Sequence, residues 1–183
     1  MPLTIDMSLI RRRYKDAFGA SLAPSFRHYL AHGPESAAAA VLGYRRAEEG
    51  VLFLEAYLER PIEALLTETF HRPVSRRDVV EIGNFAADNA IAMIRLWGAA
   101  ANDLAGGSEI AVATLTAPLR RMFNRIGVPL AEIALATPDA LGASAAEWGR
   151  YYETDPRVCA GMIREGQGAI SAFLTRRDRQ EAA

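Results

Sequence analysis

A carboxylate, a glycine and an amide stand almost side by side in VVEIGNFAADNA, residues 79–90: Glu81, Gly83 and Asn84. They close an apolar run, and a helical pattern begins almost at once. Alternation along a strand would put Glu81 and Gly83 on one face. A glycine here permits a bulge or the close approach of another backbone. A helix starting in a gap between two parallel strands would offer free N–H groups to an anionic oxygen or a polarised carbonyl. A carboxylate beside such a slot is a candidate general base for an attacking amine. A plainer reading is open too, with Glu81 an exposed strand residue and Asn84 a helix cap.

Other chemistries find less support. His28 and His32 lie four apart on a possible helix, but no cysteine or acidic residue completes a ligand pattern and His71 is isolated, so no metal site is expected. No G-x-S-x-G elbow, phosphate-binding loop or dinucleotide fingerprint is present. Cys159, the single cysteine, sits in an apolar strand context that suits a buried, inert thiol, and one cysteine allows no intrachain disulfide.

At 183 residues the chain is expected to form one domain with a real core. Half the residues are hydrophobic, 23% are charged and the net charge is −1, so charge makes no case for nucleic acid or an anionic membrane. No apolar run is long enough to span a bilayer, and residues 37–43 (AAAAVLG) fall well short. The first residues do not resemble a signal peptide, so a cytoplasmic protein without stable membrane insertion is expected.

The elements that would position Glu81 follow from periodicity and punctuation. Residues 8–30 read as helix in two pieces, broken near Gly19-Ala20, and HGPES reads as a turn. Residues 37–58 read as a hairpin around Glu48-Glu49-Gly50. PIEALLTETF is a short helix opening at Pro61. Residues 78–127 form the central unit: a strand disturbed at Gly83, a helix from Asp88 to Leu104, a buried strand EIAVATL and a helix APLRRMFNRI. Thr116 stands at that last helix's N-cap and Gly127 just past its end. Residues 128–175 hold the strand PLAEIALA, the stretch WGRYYETDPRVCAGMI and the start of a closing helix. That stretch reads as two strands around Thr154-Asp155-Pro156 or as a helix ending there, and its composition favours strands. The whole is a mixed α+β sheet with helices on both faces, its two central strands parallel because a helix joins them.

FGA, LGYRRAEEGVLFLEAYLERPIE, VVEIGNFA, TLTAPLRRMFNRIGV and WGRYYETDPRV together resemble the thermostable hemolysin family, in that family's order and over most of the chain. That family is similar in turn to acyl-homoserine lactone synthases and to the wider GNAT-like acyl-CoA N-acyltransferase fold. The resemblance implies an α/β/α sandwich whose mostly antiparallel twisted sheet has a central parallel pair splayed into a V. An acyl thioester would lie in the V between residues 81–85 and 110–115. Main-chain groups near Gly83, Asn84 and Phe85, with Thr114 and Thr116 across the split, would hold its carbonyl. Glu81 and Glu55 would deprotonate a small-molecule amine, and no tightly bound cofactor is expected. Acetyltransferases of this fold carry a glycine-rich loop that cradles the coenzyme A pyrophosphate. This chain has ADNAIA in its place, which brings an acyl carrier protein forward beside acyl-CoA as donor. Arg120, Arg121 and Arg125 would meet that donor, or else form a solvated basic face. Two other functions fit the resemblance: a membrane-lytic hemolysin, and a binding protein that keeps the fold without catalysis. Tyr151-Tyr152 and the alanine-rich helices suit a homodimer face and core packing alike.

Overall fold

The computed structural model describes residues 5, 7–33 and 39–183, and most of the turn expected at HGPES lies outside them. Helix α1 (Ser8–Phe18) buries Leu9, Ile10 and Tyr14 and stops at Gly19, whose φ of +66° returns its N–H to the Lys15 carbonyl. The second helical piece expected before Leu30 does not form. Residues 19–26 have no regular secondary structure, and strand β1 (His28–His32) follows. His28 and His32 therefore lie on a strand, and His28 pairs with Glu49 at 2.9 Å.

Strand β2 (Ala40–Arg46) pairs antiparallel with β1. The hairpin expected over residues 37–58 is thus half right, because its second arm folds into 3-10 turns at Ala47–Glu49 and Phe53–Tyr57. The physical reason is that two carboxylates, Glu55 within the segment and Glu81 from far along the chain, satisfy amides that a strand ladder would have used. Glu55 Oε2 accepts from the Leu52 N–H, and Glu81 accepts from the N–H groups of Phe53 and Leu54. Leu52 and Leu54 meanwhile bury fully in the core, which anchors the turn.

Helix α2 (Ile62–Phe70) opens after Pro61, and strand β3 (Val79–Ala87) leads into helix α3 (Ala90–Leu104). Asn89 caps α3 by accepting the Ala92 N–H at 2.9 Å. Strand β4 (Ile110–Leu115) and helix α4 (Ala117–Ile126) follow, with Gly127 left-handed at the helix end as its position suggested. Strand β5 (Ala131–Leu135) precedes 3-10 turns at Pro138–Trp148 and Tyr151–Thr154. The first arm of the stretch 148–163 is therefore not a strand. Its aromatic rings serve a tertiary cluster instead, Tyr151 lying 5.0 Å from Trp148 and 5.2 Å from Phe18. Strand β6 (Arg157–Met162) and helix α5 (Ile163–Glu181) complete the chain.

The six strands form one sheet in the order β1-β2-β3-β4-β6-β5, antiparallel throughout except at the central pair β3/β4. On one face, Val80, Ala113, Leu115 and Cys159 pack under α3, α4 and α5, with Trp97 stacked 3.9 Å from Phe123. On the other, Val79, Ile110, Val112 and Val158 meet α2 and the 3-10 turns, while Val41 and Ala86 meet α1. This is the α+β sandwich with a central parallel pair that the resemblance implied.

Candidate active site

Strands β3 and β4 pair over three positions, Val79–Glu81 against Ile110–Val112. Beyond them β3 runs on to Ala87 along β2, and β4 to Leu115 along β6, with no ladder between the two. The split is the V expected from the sequence, and beside it the β2/β3 ladder carries a bulge. Gly83 pairs with Gly43 and Ala86 with Val41, so β3 carries one residue more than β2 over that interval. Asn84 takes the strained place in the bulge at φ +50°, a left-handed conformation that asparagine tolerates better than most side chains. Its buried amide donates to the Tyr29 hydroxyl at 3.3 Å, so it is not a helix cap. Of the two roles expected of Gly83, a bulge does begin beside it, and the close approach is made by a side-chain ring instead of a backbone. A Cβ there would fall 2.7 Å from the Phe26 ring, and one on Gly43 would fall 2.6 Å from Phe26 Cβ. The paired glycines make a seat for that ring.

Glu81 occupies the last paired position before the split and is 2% exposed, so the reading of it as an exposed strand residue fails. Its two carboxylate oxygens accept the Phe53 N–H at 2.8 Å and the Leu54 N–H at 3.0 Å, from the first turn of the Phe53–Tyr57 3-10 segment. Burial pushes its pKa up to about 7, against those two amides and the more distant Arg45, which favour the charged form. An acid that titrates near neutrality can accept a proton and release it again.

Glu55 is placed otherwise. Arg76 grips it bidentately at 2.7 and 3.1 Å, and it also accepts the Leu52 and Ile62 N–H groups. Burial alone would raise its pKa, but Arg76 and the two amides outweigh that and hold it below the usual carboxylate range. It stands outside the recess that Glu81 lines. Glu55 fastens the turn whose amides reach Glu81.

Three recesses surround the split. A cavity of about 50 Å³ holds Glu81, Gly83, Asn84 and Thr114 beneath Tyr14, Phe26, Phe53, Tyr57, Trp148 and Tyr151. A groove of about 410 Å³ runs along the parted strands between Phe85–Ala87 and Thr114–Thr116, bordered by α1, α3 and α4. It shares Tyr14, Phe85, Thr114 and Tyr151 with the first cavity. On the opposite face an apolar cavity of about 80 Å³ lies among Trp97, Leu104, Leu115, Phe123, Ile163 and Ile170, and Ile82 borders both it and the Glu81 cavity. Cys159 also borders the apolar cavity, its thiol pushed up to about 11 by burial and therefore unreactive.

The remaining sequence candidates divide. Phe85 and Thr114 line both the cavity and the groove, and the Thr114 hydroxyl is buried with no partner among the described residues. Thr116 holds the N-cap position of α4 without a side-chain cap bond and borders the groove. Arg120 is not available to a donor, because it is tied to the Leu115 carbonyl at 2.7 Å and to Asp155 at 2.6 Å. Arg121 and Arg125 are exposed on the solvent side of α4. Periodicity missed the aromatic wall of Phe26, Phe53, Tyr57 and Trp148. These side chains come from irregular or 3-10 segments, and only their clustering in composition hinted at them.

Several solved structures share this fold. TofI, crystallised in a ternary complex with an inhibitor and MTA, superposes with a TM-score of 0.62 at 18% identity, covering 93% of this chain and 91% of its own. MesI, a CoA-dependent acyl-homoserine lactone synthase, gives 0.57 at 12% identity over 90% of this chain and 85% of its own. FeeM, an N-acyl amino acid synthase from uncultured soil microbes, gives 0.56 at 13% identity over 88% of this chain and 91% of its own. At these identities the likeness establishes the fold. Comparison with curated proteins gives no match. The sequence signature of the thermostable hemolysin family matches residues 6–167, and the chain belongs to that family.

Proposed function

We propose that this protein is an N-acyltransferase that moves an acyl group from a thioester to the amine of a small molecule. The observation that carries this reading is a buried carboxylate, poised near neutrality, at the point where the central strands part, in a cavity that adjoins the groove along the parted strands. The groove suits the pantetheine arm of the donor, the apolar cavity its acyl tail, and the Glu81 cavity the amine. Glu81 takes a proton from the amine nitrogen, which then attacks the thioester carbonyl carbon. The C–S bond breaks and the departing thiolate picks up a proton, leaving an amide and a free thiol. Main-chain N–H groups at the bulge stabilise the oxygen as it gains charge, that of Phe85 by leaving the Tyr14 hydroxyl it meets in the resting site. Holding both reactants at this junction supplies much of the acceleration.

The start of α3 is compatible with free coenzyme A and with a carrier-borne donor alike. Asn89 caps one N–H of that terminus, and Asp88 beside it pairs with Arg12 at 3.3 Å and Arg13 at 3.4 Å, two guanidiniums to one carboxylate. A pyrophosphate approaching here meets a net positive charge. Arg121 and Arg125 offer exposed charge to an acidic carrier. No helix among the described residues is long and apolar enough to cross a membrane, and nothing observed favours the lytic reading over transfer.

The test is release of free thiol when purified protein meets acyl-carrier protein or acyl-CoA with a panel of amines. Release above the amine-free background supports transfer. Glu81→Gln is expected to cut turnover by about 100-fold or more with the fold intact, and full activity in that variant would remove Glu81 from the mechanism.

A further inference from the structure

The walls of the Glu81 cavity bear on which amine it takes. This inference rests on the acceptor site just proposed. Among the described residues lining the cavity, Glu81 is the single carboxylate, and none is lysine, arginine or histidine. Tyr14, Tyr57 and Tyr151 also line it, and burial, the first cause in each case, raises all three so that they stay neutral. Arg45, whose charge is felt at Glu81, does not line the cavity and is committed elsewhere. It donates to the Val51 carbonyl at 2.9 Å and the Ser25 carbonyl at 3.1 Å, and lies over the Phe26 ring at 5.9 Å from its centroid.

A carboxylate entering with the substrate would therefore face Glu81 with no cation on the cavity wall to pair with it, and only the field of Arg45 from outside the lining. Burying an unpaired charge beside a like one is strongly unfavourable. An ammonium meets the opposite conditions: a carboxylate with lone pairs to spare and aromatic faces whose π electrons attract cations. Phe26, Phe53 and Trp148 provide apolar surface for whatever body carries the nitrogen.

We infer that the acceptor is a primary amine on an aromatic or alkyl body with no free carboxylate, of the kind produced by decarboxylating an amino acid, and that free amino acids are excluded. The excluding element is the absence of a counter-cation. A matched set isolates that feature: phenethylamine, phenylalanine and phenylalaninol, titrated calorimetrically into the full chain at pH 8.5. Phenethylamine and the amino alcohol are expected to bind about 100-fold more tightly than phenylalanine, the scale set by an unpaired buried charge. Glu81→Gln should weaken the two carboxylate-free ligands by about tenfold or more and leave phenylalanine little changed. Ser25→Arg, which puts a cation at the cavity wall, should improve phenylalanine binding selectively. Equal binding of phenylalanine and phenethylamine would overturn the inference, and so would no binding of any of the three. If the amines bind selectively but no acyl-thioester releases thiol in their presence, the ligand class stands and the transferase reading falls.

Discussion

The two ends of the β3/β4 pair are built from different materials. At the zipped end Val79, Val80, Ile110 and Val112 are fully buried aliphatics pressed between layers. At the parted end the same strands present Gly83, Asn84, Phe85 and Thr114 to aromatic rings and recesses. Glu81 sits on the boundary, and its nearest acidic relative in the fold, Glu55, makes the contrast sharper. Both carboxylates accept backbone amides, but Glu55 also holds Arg76 while Glu81 has no cation in contact. A paired carboxylate serves structure, whereas an unpaired buried one is held near neutral pKa and is ready for chemistry.

This contrast can be broken by substitution at either end. Ile110→Ala at the zipped end removes a fully buried side chain and should cost about 2–5 kcal/mol in chemical denaturation. Thiol release per folded molecule should change little. Glu55→Ala strips Arg76 of its bidentate partner and two amides of their acceptor. It should destabilise by roughly 3 kcal/mol, with Glu63 at 2.9 Å from Arg76 keeping the loss from being larger.

Glu81 should show its character in the pH dependence of stability. Its folded-state pKa is raised to about 7, so its contribution is full below the ordinary carboxylate value and is lost as pH climbs through about 7. Between pH 5 and pH 8 the wild type should therefore lose roughly 2–3 kcal/mol relative to Glu81→Gln, measured as the difference between their denaturation midpoints. A constant difference across that range would mean that Glu81 is an ordinary acid. The smallest effect belongs to the bulge: Asn84→Gly should lie within about 1 kcal/mol of wild type, because relief at φ +50° offsets the lost bond to Tyr29.

Sequence patterns revealed one of the two ends better than the other. The apolar runs at Val79–Val80 and Ile110–Val112, the helix between them and its cap region were readable because periodicity and local capping report on local structure. The split and the placing of Glu81 beside it followed from the same run, with Gly83 marking the disturbance. What stayed hidden was long-range. That residues 51–58 turn rather than extend depends on Glu81 accepting amides from 27 and 28 positions away. Gly83 and Gly43 are small because Phe26, from a segment without regular structure, rests on both. The resemblance placed Glu55 beside Glu81 as a second base, and the partner that holds it, Arg76, lies 21 residues further on. Each miss is a side chain whose role is set by a partner that no local window contains.

The most direct test is the pH profile of kcat/KM for thiol release with a saturating acyl donor and an amine that the protein accepts. A rise with a midpoint near pH 7, lost together with about 100-fold of the rate in Glu81→Gln, is the expected result. An unchanged profile and rate in that variant would show that the carboxylate at the strand junction takes no part in the reaction.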